Sequence, residues 1–310
     1  MIATRRGAAA DGVAAADVAI AAQLACLLEA SAPKPGNVSP GRHFSDLRYE
    51  EFLASAAAIG APLAEAGTRP LGATVRLAID ATARWTRSNT NLGIVLLLAP
   101  LARAALTESG DADLRGAVRR VLDATTIDDA RDVYAAIRRA APAGLGRVGD
   151  QDVAGEPTRT LADVMRLAAE RDAIAREYAT AFESTFLTGV PALARARADG
   201  LSWDAAIVET FLTLLAAVTD THIARRGGAA MAADVSDQAR TALAAGGVRT
   251  AEGRGAIERM DRRLRDARHL ANPGAAADLT AAAVFVVLLG GGWQTSHGAP
   301  VHGGRDAASR

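Results

Sequence analysis

Ser202-Trp203-Asp204-Ala205-Ala206-Ile207-Val208-Glu209-Thr210-Phe211-Leu212-Thr213-Leu214-Leu215-Ala216-Ala217-Val218 decides the fold class. Trp203, Ile207, Phe211, Leu214 and Val218 recur in steps of three or four, which lines them up on one face of an α-helix. Ser202, just ahead of the run, is placed to cap its first turn. This helical pattern extends over residues 202–224 and returns over 12–30, 49–65, 74–87, 91–106, 111–124, 128–139, 161–187, 191–199, 229–245, 251–270 and 275–289. No stretch gives a period-two alternation. The expectation is an all-α protein, a single large multi-helix bundle with a polar central cleft.

Composition agrees. The apolar half of the chain is dominated by Ala, Leu and Val with 4% aromatics, which favours helices packed closely through small side chains. Acidic and basic residues balance at 35 each, so no basic excess points to nucleic acid. Cys26 is the only cysteine, which excludes an internal disulfide or a Cys-based zinc cluster, and its apolar run 24–28 suits a buried structural thiol. The apolar runs 92–101 and 281–289 are too short to span a bilayer, and no signal-like run follows Arg5 and Arg6. A soluble cytoplasmic protein is expected, with a helical catalytic domain over 12–290 between a disordered segment 1–11 and a disordered tail 291–310 that carries His297 and His302. The Gly-rich stretch 142–157 is expected to be a mobile lid or a linker. An Ala-rich helical surface suits a homodimer.

The chemistry concentrates at helix ends, where free N–H groups favour anions. Four polar clusters lie there: Lys34, Asn37, Gly41, Arg42, His43 and Asp46; Ser88-Asn89-Thr90-Asn91-Leu92-Gly93; Asp220-Thr221-His222 with Arg225-Arg226-Gly227-Gly228; and Asn272-Pro273-Gly274 with Asp278. Each alone reads as caps and turns. Together they supply cations for phosphates, amides for hydroxyls and carboxylates for a hard metal, a set that suits a polyphosphate ligand with Mg²⁺. Lys34 stands out as the one lysine beside 34 arginines, and a compact ammonium between two prolines suits a phosphate. Glu183, flanked by apolar residues, is expected either to point inward as a base or metal ligand or to be a hydrogen-bonded core carboxylate. The charged run 254–268 reads as a solvated helix face.

Taken in order, Lys34-Pro35-Gly36-Asn37-Val38, Asn89-Thr90-Asn91, Asp220-Thr221-His222 with Arg226-Gly227-Gly228, and Asn272-Pro273-Gly274 with Ala277-Asp278-Leu279 resemble the motifs of the ATP:dephospho-CoA triphosphoribosyltransferase family. The resemblance implies an all-α enzyme that moves the triphosphoribosyl group of ATP to the 2′-hydroxyl of 3′-dephospho-CoA and releases adenine, making a prosthetic-group precursor. It places Lys34, Arg225 and Arg226 on phosphates, with Arg42, His43 and Thr221 as further substrate contacts. Asn89, Asn91 and Asn272 would read ribose or pantetheine groups, and Asn37 and Thr90 would also contact the substrate. Asp46, Asp220 and Asp278 would hold Mg²⁺, His222 or His43 would be a further donor or the acid toward adenine, and Glu183 or Asp220 the base. The chain departs from the family pattern at Asn89-Thr90-Asn91-Leu92-Gly93, which lacks a His and a Lys. A divergent nucleotide-ribosyl transferase of another cofactor pathway, such as one making a one-carbon carrier, is therefore a second reading. A non-catalytic helical nucleotide-binding protein is a third.

Overall fold

The structure, a computed structural model, describes residues 13–107, 113–265 and 268–293. The expected N-terminal segment 1–11 and the tail beyond Trp293, with His297 and His302, lie outside them. Among the described residues the chain is helical and has no strand, with an isolated antiparallel bridge between Ser39 and Arg42. The elements are α1 (Ala15–Ser31), α2 (Tyr49–Ala58), α3 (Gly60–Ala64), α4 (Leu71–Thr82), α5 (Leu92–Thr107), α6 (Leu114–Asp123), α7 (Ile127–Ala140) and α8 (Leu161–Ala168). They continue as α9 (Ala173–Thr180), α10 (Val190–Ala198), α11 (Trp203–Ala217), α12 (Thr221–Gly227), α13 (Ala229–Ala244), α14 (Ala251–Leu264) and α15 (Gly274–Leu289). No single helix among them is long and apolar enough to cross a membrane.

Three apolar helices form the centre. Ile207, Phe211, Leu212, Leu214 and Leu215 of α11 are fully buried, each contributing about 1.5–3 kcal/mol relative to exposure. α15 is apolar on nearly every side and packs on α1, α5, α10 and α11, so the last described helix returns against the first. α5 carries Pro100, which has no N–H to give the Leu96 carbonyl one turn back. The Tyr178 hydroxyl donates to that carbonyl instead, at 2.6 Å. Cys26 is buried and free, as expected.

Three expected helical stretches are broken, each for a local reason. Ile59 separates α2 from α3. In 161–187, Asp172 caps α9 through the Ala175 N–H, and Ala181 and Phe182 then take left-handed backbone, φ 50° and 58°. In 202–224, Val218 is extended and Asp220 starts a new helix, so α11 and α12 meet at 63°. Ser202 occupies the cap position of α11 but turns its hydroxyl to the Asp204 carboxylate instead of a helix N–H.

Candidate functional site

A cavity of about 270 Å³ opens where the loop after α1, the start of α5, α12 and the start of α15 meet. All four polar clusters contribute to its wall. The first supplies Asn37 and Asp46, the second Ser88 through Gly93, the third His222 and Arg226, and the fourth Asn272, Gly274 and Asp278. α1 adds Glu29, and the start of the Gly-rich stretch adds Ala143.

The amides are held by one another. Asn37 Nδ2 donates to Asn272 Oδ1 at 2.7 Å, joining the first cluster to the fourth, while buried Asn37 Oδ1 has no partner among the described residues. Asn89 Oδ1 accepts from the Leu92 N–H and caps α5, and Asn91 Nδ2 donates to Thr82 Oγ1 at 3.0 Å. Thr90 shares a hydrogen bond with Ser55. This stiffens the N-terminus of α5 at the cavity, where its free N–H groups suit an anion.

Arg226 is the cation that lines the cavity among the described residues. Its guanidinium donates to the carbonyls of Arg268 and His269 at 2.9 and 2.7 Å, which fixes its direction, and Nη1 lies 3.4 Å from His222 Nε2. Burial, and then the charges of Arg225 and Arg226, push His222 down to about 4. It is therefore neutral near pH 7, and the expectation that it delivers a proton there is not supported. Because its folded value lies below the unfolded 6.5, its contribution to stability is present above pH 6.5 and is lost as pH falls through 4. The stability advantage of the native protein over His222→Gln should shrink by about 3 kcal/mol between pH 7 and 4, read by urea unfolding at each pH.

Two carboxyl groups face the cavity together. Asp278 makes no hydrogen bond with a described residue and sits over Gly93, where an added Cβ would come within 2.0 Å of its Oδ2. Burial first, then Glu29, Asp220 and Asp172, raise it well above the usual carboxylate range, with Arg225 offsetting part of the effect. Glu29, which the sequence reading missed, is 4% exposed and pairs through Oε1 with Lys34 Nζ at 2.9 Å.

A family profile described as ATP:dephospho-CoA triphosphoribosyl transferase matches residues 15–297. The chain belongs to this family. A probable 2-(5''-triphosphoribosyl)-3'-dephosphocoenzyme-A synthase of Pseudomonas aeruginosa is 38% identical over 111 residues, 35% of this chain and 37% of that protein. One from Pseudomonas putida is 39% identical over 118 residues, 37% of this chain and 41% of that protein. The matched stretch thus spans well under half the length of these relatives. A solved triphosphoribosyl-dephospho-CoA synthase candidate of Archaeoglobus fulgidus superposes with a TM-score of 0.61 at 28% identity, over 77% of this chain and 99% of that one.

Several residues that the family resemblance marked stand outside the cavity wall. Lys34 is 1% exposed, and its three N–H groups go to the Glu29 carboxylate and to the carbonyls of Glu29 and Ala32. It closes the C-terminal end of α1 and has no donor left for a phosphate. Arg225 pairs with Asp172 at 2.5 Å, and Thr221 Oγ1 accepts from the Ala173 N–H, so both anchor α12 to α9. Asp220 is buried behind the cavity, where it accepts from the N–H groups of Ile223 and Ala276 at 3.0 and 2.8 Å. Burial raises it to about 6 against those bonds. It ties the start of α12 to the start of α15, which is a positioning task.

Glu183 is exposed, because the left-handed pair Ala181-Phe182 turns it outward. The buried acid nearby is Glu177, which accepts from the N–H groups of Ser184 and Thr185. Arg42 pairs with Asp261 at 3.1 Å, and His43 is exposed and off the wall. Asp261 also accepts from the Gly36 N–H and from Arg265, whose Nη2 donates to the Asn37 carbonyl. Part of the supposed solvated face 254–268 therefore clamps the first cluster. Asp46 sits at the rim, 76% exposed and 3.3 Å from His269 Nε2. With Asp46 at the rim and Asp220 behind the wall, the acids expected to hold Mg²⁺ do not converge, and no group of three His, Cys, Asp or Glu forms a metal site among the described residues.

Proposed function

We propose that the chain moves the triphosphoribosyl group of ATP to the 2′-hydroxyl of 3′-dephospho-CoA and releases adenine. The observation that carries this reading is the convergence of all four ordered motif clusters on one cavity, in a chain that matches the family over 15–297. Arg226 and the N-terminus of α5 would hold phosphate oxygens, and Asn37, Asn89, Asn91 and Asn272 would read hydroxyls. Because no protein-built metal centre fits the residues present, Mg²⁺ would enter on the triphosphate as part of the substrate.

Glycosyl transfer breaks the C1′–N9 bond of ATP through an oxocarbenium-like transition state, and the electron pair goes to adenine. Asp278, whose carboxyl its surroundings bias toward the protonated form, would donate a proton to the departing base. Glu29 Oε2 carries no hydrogen bond from a described residue, and it would take the proton of the 2′-hydroxyl as the new C1′–O bond forms. Two cavity carboxyls in unlike environments divide the acid and base roles. Purified protein incubated with ATP and Mg²⁺ should release free adenine, read by chromatography, when 3′-dephospho-CoA is added. Adenine released equally without it would point to hydrolysis or another acceptor, and none in either tube would overturn the reading.

A further inference from the structure

We infer that Arg87 and Arg139 form a second oligophosphate subsite, on the far side of the Ser88–Asn91 loop from the main cavity. The inference rests on the transfer reaction proposed above, in which both substrates carry oligophosphates. The main cavity offers a single lining arginine, Arg226, and it is also lined by three carboxyl groups, those of Glu29, Asp278 and, at the rim, Asp46. A second recess of about 40 Å³ shares Ser88, Asn89, Thr90 and Asn91 with it and is also lined by Arg87 and Arg139. It is too small for a nucleobase but open enough to receive a phosphoryl group.

Both arginines are exposed, and neither makes a hydrogen bond or ion pair with a described residue. That sets them apart from Arg42, Arg225 and Arg226, which are engaged by Asp261, by Asp172 and by backbone carbonyls. Arg87 follows the C-terminal end of α4 and Arg139 lies in the last turn of α7, where a cation also complements the helix dipole. Dipole complementarity alone leaves all the guanidinium N–H groups of both residues unused, and forked donors of this kind suit paired phosphate oxygens. The loop between the two cavities is held in place. Thr86 Oγ1 donates to the Ser88 carbonyl, Asn89 caps α5, and Asn91 reaches back to Thr82. A phosphate bound outside it would therefore keep a fixed distance from a ribose bound inside.

The test uses R87Q/R139Q and R87K/R139K in the full chain. Neither residue has a described partner, so melting temperatures should match the native protein. In adenine-release assays R87Q/R139Q should raise the KM of one substrate roughly ten- to a hundredfold, leave the other within twofold, and change kcat little. The lysine pair should recover part of the loss. A rise confined to dephospho-CoA identifies its diphosphate as the occupant, and a rise confined to ATP identifies the triphosphate. Unchanged KM values, or an equal rise for both substrates, would overturn the subsite. If no adenine is released at all, the function reading fails separately, and calorimetry with inorganic pyrophosphate still decides. Tenfold weaker binding to R87Q/R139Q supports the subsite, and equal binding overturns it.

Discussion

Lys34→Ala should cost the protein about 3 kcal/mol or more of stability, seen as an earlier urea midpoint. The size follows from what the substitution leaves behind. Removing one partner of a buried ion pair leaves the other charge without compensation, here the Glu29 carboxylate at 4% exposure. It also strips a donor from the carbonyls of Glu29 and Ala32 at the end of α1. Lys34→Arg should be nearly as damaging, because a planar fork cannot place three donors around one point in a fully buried space. The decisive variant is the double substitution Lys34→Met with Glu29→Gln. If the pair accounts for the loss, it should recover much of the stability while adenine release stays low. An unchanged midpoint in Lys34→Ala, with weakened ATP binding, would restore the phosphate role that the sequence suggested.

That reversal marks where sequence reading stops. The lone lysine was conspicuous, and it was read as a compact ammonium suited to a phosphate. Its direction depends on Lys34 folding back onto the end of α1, which no periodicity encodes. The same holds for the acids. Asp220 was singled out in a cluster read as closing a helix, but it caps the start of α12, with its second oxygen taken by a backbone N–H on α15, 56 residues away. Glu183 looked inward because its neighbours are apolar, but two left-handed residues reverse the face it presents.

Glu29 was passed over because it sits in an apolar run, although an acid on a buried helix face five residues before the lone lysine was an available signal. Helix existence was easier to read. The three- and four-residue spacing of Trp203, Ile207, Phe211 and Leu214 in α11 survives burial, and α15 shows as one long apolar run, whereas the breaks at Ile59, Asp172 and Asp220 are local capping events inside patterns that continue across them. The cavity was legible as a set of motifs because its wall is made of helix ends. Those are the places where Asn, Asp, Gly and Thr must appear for backbone reasons in any case.

Asp278→Asn should lower kcat for adenine release by about 10²–10⁴-fold while the fold is kept or slightly strengthened. Asn preserves the shape that Gly93 makes room for, but it has no acidic proton to give the departing base. In the native protein the carboxyl lies well above its usual range through burial and neighbouring acids, so the rate should fall as pH rises through that raised value, when the donor is lost. In Asp278→Asn that high-pH arm should flatten. An ATP analogue whose purine is methylated at N7 carries a base that leaves without needing a proton, and it should recover much of the lost rate in the variant and gain little in the native enzyme. A variant equally slow with both nucleotides would remove Asp278 from leaving-group protonation and place it on the acceptor side, where Glu29→Gln should then be the milder change. Gly93→Ala gives an independent check. Its methyl would displace the Asp278 carboxyl, so it should reproduce the loss in kcat and the flattened pH arm without touching a titratable group.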